Sequence, residues 1–461
     1  MDVVRWVERR HWYPHRQAAL ALSTMSSISR IAHGGLLAIL LGATSSGSSA
    51  TGPVWAETGV ETAKALMLNG RREEAKSLLQ DLARERPARS DVAFLLGLLA
   101  IDATDYPEAI AHFRDILVRE PSALRVRLEL GRAFYLSHDY ENAYRQFQLA
   151  RAGRLPPGVA ATIDKFVAAI RREKNWSYSF DIAIAPDSNI NNGTSSRETE
   201  IFGLPFELSS DTRRRSGTGL AVTGRGEFSP RLGEILHLRM GGSVERREYQ
   251  AHDFDDMTMA AYAGPRIVLS DWDLSVLGTG FRRTFGGRRL SEGFGTRFEL
   301  IHGFGARTAI SLALAAQEVR YPHYRLQGGR SYSAALSLMR ALTPASILTV
   351  RVGGGRQSTK TPELSSSSVW TSVGYYRDLD GGFSIYAEPS YGVSRYDAAD
   401  PFFARRRVDR LAQLQFALLN RRIVLSRFTP RIALTIARRF STINIYDFTQ
   451  RRLEVGFTSS F

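Results

Sequence analysis

The last segment of the chain alternates apolar and polar residues up to its final residue. From Arg452 onward, one face carries mostly apolar side chains: Leu453, Val455, Phe457, Ser459 and Phe461. The other face carries small or polar ones: Glu454, Gly456, Thr458 and Ser460. This pattern is typical of the closing strand of an outer-membrane barrel, which faces lipid on one side and pairs with the first strand. A soluble sandwich domain can also end in a strand, so the segment alone favours the barrel without excluding a sandwich.

The number and length of the alternating segments favour a barrel further. We count about fourteen after Asn175, at roughly 176–185, 217–228, 235–247, 257–269, 272–284, 291–301, 308–320, 328–340, 346–357, 367–377, 382–393, 405–419, 428–440 and 450–461. Most have the length that a tilted strand needs to cross a bilayer, and bacterial barrels have an even number of strands. We therefore predict a transmembrane antiparallel β-barrel of about 14 strands.

Composition limits the other classes of function. The chain has 461 residues, 43% of them hydrophobic, and no cysteine, which excludes disulfides, thiolate metal sites and thiol nucleophiles. The formal net charge of +15 comes almost wholly from arginine. These arginines are scattered through alternating segments, which indicates a positive lumen or loop surface and no nucleic-acid partner.

The first fifty residues have the order of an export signal. A basic start ends at Arg30, an apolar run follows from Ile31 to Leu41, and small residues follow up to Ala50. We predict a cleaved signal peptide at residues 1–50, with cleavage near Ala50 or else Ala56. No later segment offers about 18 uninterrupted apolar residues, so any later membrane crossing must be made by strands.

A helical pattern begins near Ala56 and repeats every 34 residues. Three sets of positions share the spacing: Ala63, Gly97 and Gly131; Ala75, Ala109 and Ala143; Leu79, Phe113 and Phe147. Pro87 and Pro121 end the second helix of their units. This is the tetratricopeptide repeat pattern, in which the small residue admits the large one between paired helices. The chain is thus predicted to be an α+β multidomain protein with an N-terminal all-α repeat array.

Two boundaries complete the predicted organisation. Residues 56–173 form a periplasmic repeat domain that ends in a capping helix, and residues 174–461 form the outer-membrane barrel. Repeat spacing predicts that five side chains lie on the inner face of the array and bind a client: Lys64, Phe94, Arg125, Arg132 and Tyr135. A bare spacer is the alternative for the repeats.

The first barrel segment and its exit carry a resemblance to a known family. Residues 180–192 read FDIAIAPDSNINN. Together with repeats ahead of a barrel, this segment resembles the surface lipoprotein assembly modifier family. The resemblance implies an outer-membrane translocon that moves surface lipoproteins or related secreted ligand-binding proteins from periplasm to cell surface. It also implies a client protein, the barrel assembly machinery and outer-membrane lipid as partners, with periplasmic chaperones as further candidates.

Two short segments are candidate sites within the barrel. The barrel-entry loop contains Asp187, Asn189 and Asn191, which either satisfy backbone groups in turns or contact substrate. A single Asp among amides is poor for calcium, so no metal is predicted. The chain end resembles the signal read by the barrel assembly machinery, through Glu454, Gly456 and Phe461, and departs from that signal at Ser459.

Two other functions stay open. Repeats ahead of a barrel also resemble exopolysaccharide-export porins, although those usually carry more than the three repeats seen here. An enzyme embedded in the barrel is disfavoured, because the scattered histidines and serines form no Gly-x-Ser-x-Gly or His-Glu-x-x-His pattern. We therefore predict no catalytic residues and no cofactor.

Overall fold

A computed structural model describes residues 54–208, 213–425 and 428–459. The predicted signal peptide at 1–50 and the terminal Phe461 lie outside the described residues. In the described part of the chain, helices occupy the first 120 positions or so and strands the rest. The last helix ends at Glu173 and the first strand begins at Trp176.

The helices are α1 Val54–Leu68, α2 Arg72–Glu85, α3 Ser90–Asp102, α4 Tyr106–Arg119, α5 Leu124–Leu136, α6 Tyr140–Arg151 and α7 Pro157–Glu173. The predicted 34-residue packing positions lie where consecutive helices meet. A Cβ atom added at Gly97 would lie 2.6 Å from Cε1 of Phe113, and one added at Gly131 would lie 2.9 Å from Cε1 of Phe147. Glycine therefore lets each phenylalanine ring pack against the neighbouring helix backbone, as the repeat pattern predicts.

The strands are β1 Trp176–Asp187, β2 Glu198–Ile201, β3 Leu204–Glu207, β4 Gly217–Phe228, β5 Leu236–Tyr249, β6 Asp256–Val268, β7 Trp272–Phe285, β8 Arg288–Phe304, β9 Thr308–Arg320, β10 Gly329–Thr343, β11 Ser346–Thr359, β12 Ser366–Asp378, β13 Phe383–Asp400, β14 Arg405–Asn420, β15 Thr429–Ser441 and β16 Phe448–Thr458. Fourteen of them, all except β2 and β3, form one closed antiparallel barrel. This confirms the predicted fold class.

The barrel closes where β1 pairs with β16. Ile182 lies opposite Phe457, and Ile184 lies opposite Val455. Gly456 is required at this seam, because a Cβ atom there would lie 1.9 Å from the carbonyl oxygen of Ile182. The two strands thus approach more closely than any residue with a side chain would allow.

β2 and β3 form a separate two-stranded hairpin between β1 and β4, which sequence analysis did not predict. Its turn places Phe202 at φ 53° and Gly203 at φ 78°. The Phe202 N–H donates to the carbonyl of Phe402, 2.8 Å away, so the hairpin is fastened to the loop between β13 and β14. Strand β13 also extends to Asp400, beyond its predicted end at 393.

By its internal contacts the chain divides into two compact units, one ending at Phe113 and the other running from Arg114. The second unit thus contains helices α5 to α7 together with the barrel. In the part of the chain that the structure describes, no helix is long and apolar enough to cross a membrane.

Candidate functional site

The barrel wall has an apolar outer face and a polar inner face. On β16, Leu453, Val455 and Phe457 are exposed on the outside, with 39%, 47% and 40% of their surface accessible. The intervening residues Arg452 and Glu454 are only partly accessible and line an inner cavity. The alternation predicted for this segment is thus the division between a lipid face and a lumen face.

The lumen near the seam holds a network of paired charges. Arg431 reaches Asp181 at 3.3 Å and Glu454 at 3.4 Å, and Arg452 reaches Glu454 at 3.2 Å. These residues line a polar cavity of about 380 Å³. Each of these two arginines has a carboxylate neighbour, but the cavity lining as a whole holds five arginines and three acidic residues, so it is polar and net positive.

The same pairing recurs around the wall. Arg239 contacts Glu227 at 2.8 Å and Glu299 at 2.6 Å. Arg351 contacts Glu388 at 2.6 Å. The predicted arginine-rich lumen is therefore present, and these arginines pair with acidic side chains on adjacent or more distant strands of the wall.

The barrel-entry loop satisfies its own backbone. Asn189 is fully buried, and its side chain donates to the carbonyls of Gly193 (2.9 Å) and Thr449 (3.1 Å) while accepting the N–H of Gly193. Asp187 accepts the N–H of Asn189 at 2.8 Å and a hydrogen bond from Gln450, also at 2.8 Å. These bonds fasten the exit of β1 to β16.

Asn191 extends the same arrangement toward β4. Its side chain donates to the carbonyl of Arg213 at 2.8 Å and accepts the N–H of Arg215 at 3.0 Å. The three predicted loop residues therefore lie together and act as turn-capping groups. A direct contact with substrate stays a prediction.

The predicted assembly-signal residues lie in different places. Glu454 points into the lumen, where it lies beside Arg431 and Arg452. Gly456 lies at the close approach of β16 to β1. Phe461 lies outside the described residues, and reading of this segment by the assembly machinery stays a prediction.

Two predicted client-binding residues belong to the first compact unit. Lys64 on α1 pairs with Glu61 at 2.6 Å and keeps 27% of its side chain accessible. Phe94 on α3 is 8% accessible, with its ring centroid 5.7 Å from that of Phe113. Phe94 therefore contributes to helix packing, whereas Lys64 lies at the surface.

The other three predicted client-binding residues lie on α5. Arg132 is 2% accessible and donates to Glu129 at 3.1 Å. Tyr135 is half-buried and donates to Glu173 at 3.1 Å. Burial and the Glu173 carboxylate raise the pKa of Tyr135. Arg125 is half-buried, and burial lowers its pKa. Binding of a client by this set stays a prediction.

Sequence analysis missed a polar contact between the last repeat and the barrel. Arg127 on α5 is 1% accessible and donates to Asp378, at the end of β12, at 2.7 Å. The same guanidinium donates to the carbonyl of Pro121 and to Gln146. Burial lowers the pKa of Arg127, and Asp378 opposes this shift.

Further contacts join the helices to the same end of the barrel. The guanidinium of Arg145 on α6 lies 4.4 Å from the ring centre of Tyr376. Asp164 on α7 accepts the N–H of Ala306 at 3.0 Å, and Arg171 donates to the carbonyl of Ser270 at 3.3 Å. No periodicity could have revealed these contacts, because each joins positions far apart in sequence.

These contacts identify the two ends of the barrel. Ala306 and Ser270 lie in the short connections 305–307 and 269–271, whereas the connection 188–216 lies at the opposite end. Short turns face the periplasm in bacterial barrels, and the longer loops face outward. Helices α5 to α7 therefore lie on the periplasmic side.

Comparison with known sequences identifies matching families for both parts of the chain. The profile described as surface lipoprotein assembly modifier matches residues 176–461. The tetratricopeptide repeat profile matches residues 60–117 and 94–158. The family match does not favour the exopolysaccharide-export alternative.

Individual relatives agree with these matches. Surface lipoprotein assembly modifier 2 of Haemophilus influenzae is 20% identical over 83% of this chain and 81% of its own length. Surface lipoprotein assembly modifier 1 of Neisseria meningitidis is 25% identical over 44% of this chain and 40% of its own length. Among solved structures, a Pseudomonas aeruginosa FadL homologue has a TM-score of 0.35 at 10% identity, covering 69% of this chain and 92% of that one.

The profile match covers more than half of the chain and spans the whole closed barrel. The chain therefore belongs to the surface lipoprotein assembly modifier family, as an outer-membrane barrel preceded by periplasmic tetratricopeptide repeats.

Proposed function

We propose that this chain is an outer-membrane translocon that moves surface lipoproteins, or related secreted ligand-binding proteins, from the periplasm to the cell surface. The observation that carries the proposal is the direct attachment of the last repeat to the periplasmic end of a closed barrel, in a member of this family. The names of the relatives supply surface lipoproteins as the client class.

The lumen chemistry supports passage of a polypeptide. An extended chain carries side chains of both charge signs and unpaired backbone groups, so it needs a wall with both donors and acceptors. Arg431, Glu454 and Arg452 present such a mixed surface. We infer that transport makes and breaks no covalent bond, so the chain is not an enzyme.

The repeat helices are proposed to receive the client before transport. The partly exposed groups Lys64 and Arg125 would contact the client or a periplasmic chaperone before the client enters the barrel. The barrel assembly machinery would insert the chain in the membrane by reading the segment around Gly456. Binding of the client or chaperone by the repeats and recognition by the assembly machinery are two separate proposals.

Site-specific crosslinking tests whether the client passes through the lumen. A photoreactive residue would replace Glu454 on the lumen face or Val455 on the lipid face, in cells that also produce a surface lipoprotein encoded beside this gene. We expect the client to crosslink from position 454 and not from position 455, because adjacent strand residues face opposite sides of the wall.

Protease shaving of intact cells gives the matching functional measurement. The client should become protease-sensitive at the surface only when this chain is present. Equal crosslinking from both positions, or surface display without this chain, would contradict the proposal. Display of a polysaccharide and not of the lipoprotein would instead revive the polymer-export alternative.

A further inference from the structure

The lipid face of the barrel wall carries three exposed arginines near its extracellular end: Arg410 on β14, Arg438 on β15 and Arg451 on β16. Each lies within five positions of the end of its strand that is opposite helices α5 to α7. Arg451 is two positions from the exposed Leu453, and Arg438 is two positions from the exposed Ile436. Because side chains alternate along a strand, these arginines point away from the lumen.

The pairing of the strands places the three arginines in one diagonal line. Arg438 lies opposite Thr449, which is two positions before Arg451. Arg410 lies opposite Phe440, which is two positions after Arg438. Diagonal neighbours of this kind have Cα atoms about 7–8 Å apart, within reach of long side chains. We call Arg410, Arg438 and Arg451 the arginine file, a set of like charges side by side on three adjacent strands.

The arginine file has no acidic partner within the part of the chain that the structure describes, because none of its members forms an ion pair there. The guanidinium of Arg438 lies 4.3 Å from the ring centre of Phe440. Two carboxylates close to the file in the strand pairing have other partners. Asp447 accepts a backbone N–H, and Asp397 on β13 accepts a hydrogen bond from Arg356 at 2.7 Å. The file therefore keeps its positive charge.

Outward arginines on the opposite wall are arranged differently. Arg282 on β7 also lies within five positions of the extracellular end, but Glu292 on β8 is 3.6 Å from it. Arg320 at the end of β9 has Glu318 at 2.8 Å. These two arginines carry their counter-charge within the chain. The arginine file is thus a local feature of β14 to β16.

The arginine file lies at the edge of the apolar band of the wall. Toward the periplasm the same face continues with Leu453, Val455 and Phe457, all exposed. An arginine in this position keeps its stem on the apolar surface and its charged end in the polar layer above. The guanidinium groups are therefore level with the lipid head groups of the outer leaflet.

A polar cavity of about 390 Å³ adjoins one end of the file at Arg451. Its other described lining residues are Arg214, Ser188, Ser216 and Thr449. Guanidinium and hydroxyl groups both donate hydrogen bonds to phosphate oxygens. The cavity thus offers space and donors for a phosphate group beside the file.

We propose that the arginine file and this cavity bind a lipid of the outer leaflet that carries two phosphate groups. Arginine binds phosphate oxygens in pairs, and a phosphate monoester carries about −1.5 to −2 charges at neutral pH. Two diagonal steps extend over about 15 Å, so two separated phosphates contact more of the file than one phosphate does. The inference does not depend on the client or on transport.

Titration with diphosphoryl lipid A tests the proposal. The full chain would be refolded in an uncharged detergent, so that it carries no bacterial lipid, and bound lipid would be measured by native mass spectrometry. We expect one tightly bound lipid per chain. Arg438→Gln should weaken its binding at least fivefold, and Arg410→Gln and Arg451→Gln should each weaken it as well. Monophosphoryl lipid A should bind the unmodified chain at least fivefold more weakly.

Arg282→Gln is the matched control, because it removes one outward cation near the extracellular end of the opposite wall. Its affinity for diphosphoryl lipid A should equal that of the unmodified chain. Heat-modifiable mobility in gels verifies that each variant is folded, and the three separate substitutions allow the test to proceed without any one of them. Equal binding by the file variants and Arg282→Gln would overturn the proposal, as would equal affinity for the two forms of lipid A.

Discussion

Arg127 and Asp378 are 251 positions apart in the chain, yet they form a buried ion pair with 2.7 Å between guanidinium nitrogen and carboxylate oxygen. The pair joins the last repeat to the periplasmic end of β12. Because both groups are withdrawn from water, either one left alone would be costly. The contact therefore makes the attachment of the repeat sensitive to single substitutions.

Asp378→Asn should loosen that attachment. Loss of the carboxylate leaves Arg127 and Arg421 without their shared counter-charge, a cost of about 3–5 kcal/mol for a broken buried pair. We expect faster proteolysis within α5 to α7 while the barrel keeps its heat-modifiable mobility in gels. Asp164→Asn, at the separate contact of α7 with Ala306, is the comparison, with a smaller cost expected because Asp164 is part-exposed. Unchanged proteolysis in Asp378→Asn would show that the pair does not hold the repeat in place.

Gly97→Ala should destabilise the repeat helices. The new Cβ atom would lie 2.6 Å from a ring carbon of Phe113, and overpacking of this kind costs about 1–3 kcal/mol. Thermal unfolding followed by circular dichroism at the helix band should show a lower midpoint.

Adding Phe113→Leu to the Gly97→Ala variant should recover part of the lost unfolding midpoint, because the smaller side chain leaves space for the new Cβ atom. Gly158→Ala, in a helix where a Cβ atom would meet nothing within 4 Å, serves as the control and should not lower the midpoint. A normal midpoint for Gly97→Ala would contradict the packing role given to the 34-residue repeat.

Gly456→Val should prevent closure of the barrel. Its side chain would collide with the backbone of Ile182, and backbone cannot give way as a flexible side chain can. We expect at least a fivefold loss of the folded, heat-modifiable form. Gly226→Val on β4 is the control, since nothing lies within 4 Å of a Cβ atom there.

Refolding into detergent or liposomes separates this steric role from a role in the assembly signal. A steric defect persists when no assembly machinery is present. A defect seen only in cells would instead assign Gly456 to recognition by the machinery and contradict the seam argument.

Asn189→Ala should open the barrel-entry loop. The substitution removes the amide donor of Asn189 from the carbonyls of Gly193 and Thr449, and it leaves the Gly193 N–H only its longer bond to Asn191, at a cost of about 1–3 kcal/mol. Cleavage by protease added outside intact cells should increase within residues 188–193, whereas the exposed Ser195→Ala should not change it. Lost client display with a protected loop would point to direct substrate contact instead.

Most of the fold could be predicted from the sequence because it depends on short-range periodicity. Because side chains alternate along a strand, Val455 lies on the lipid face and Glu454 on the lumen face of the barrel wall. This holds regardless of which strands pair with β16. A repeat of 34 residues places Gly97 against Phe113 by the same kind of local rule. The order of repeats, capping helix and strands followed from these patterns.

The β2–β3 hairpin could not be predicted, for a reason visible in its turn. Both central residues have positive φ, a conformation usually signalled by Asn-Gly, but here the first one is Phe202. The bond from Phe202 to Phe402 and the contact of their rings, with centroids 5.7 Å apart, hold it there. Phe402, 200 positions away in the chain, thus stabilises a backbone conformation that is unfavourable for Phe202.

The sequence by itself determined the compartment, the barrel, the repeats and the face on which each strand residue lies, because these follow from spacing along one chain. Only the tertiary structure decided which charges meet. Arg127 looks like a solvated helix residue until Asp378 is placed beside it, and the arginines of the lumen look like a bare positive surface until Asp181 and Glu454 pair with Arg431. Electrostatic energy depends on distance in space and on exclusion of water, and neither can be obtained from the spacing of residues in sequence.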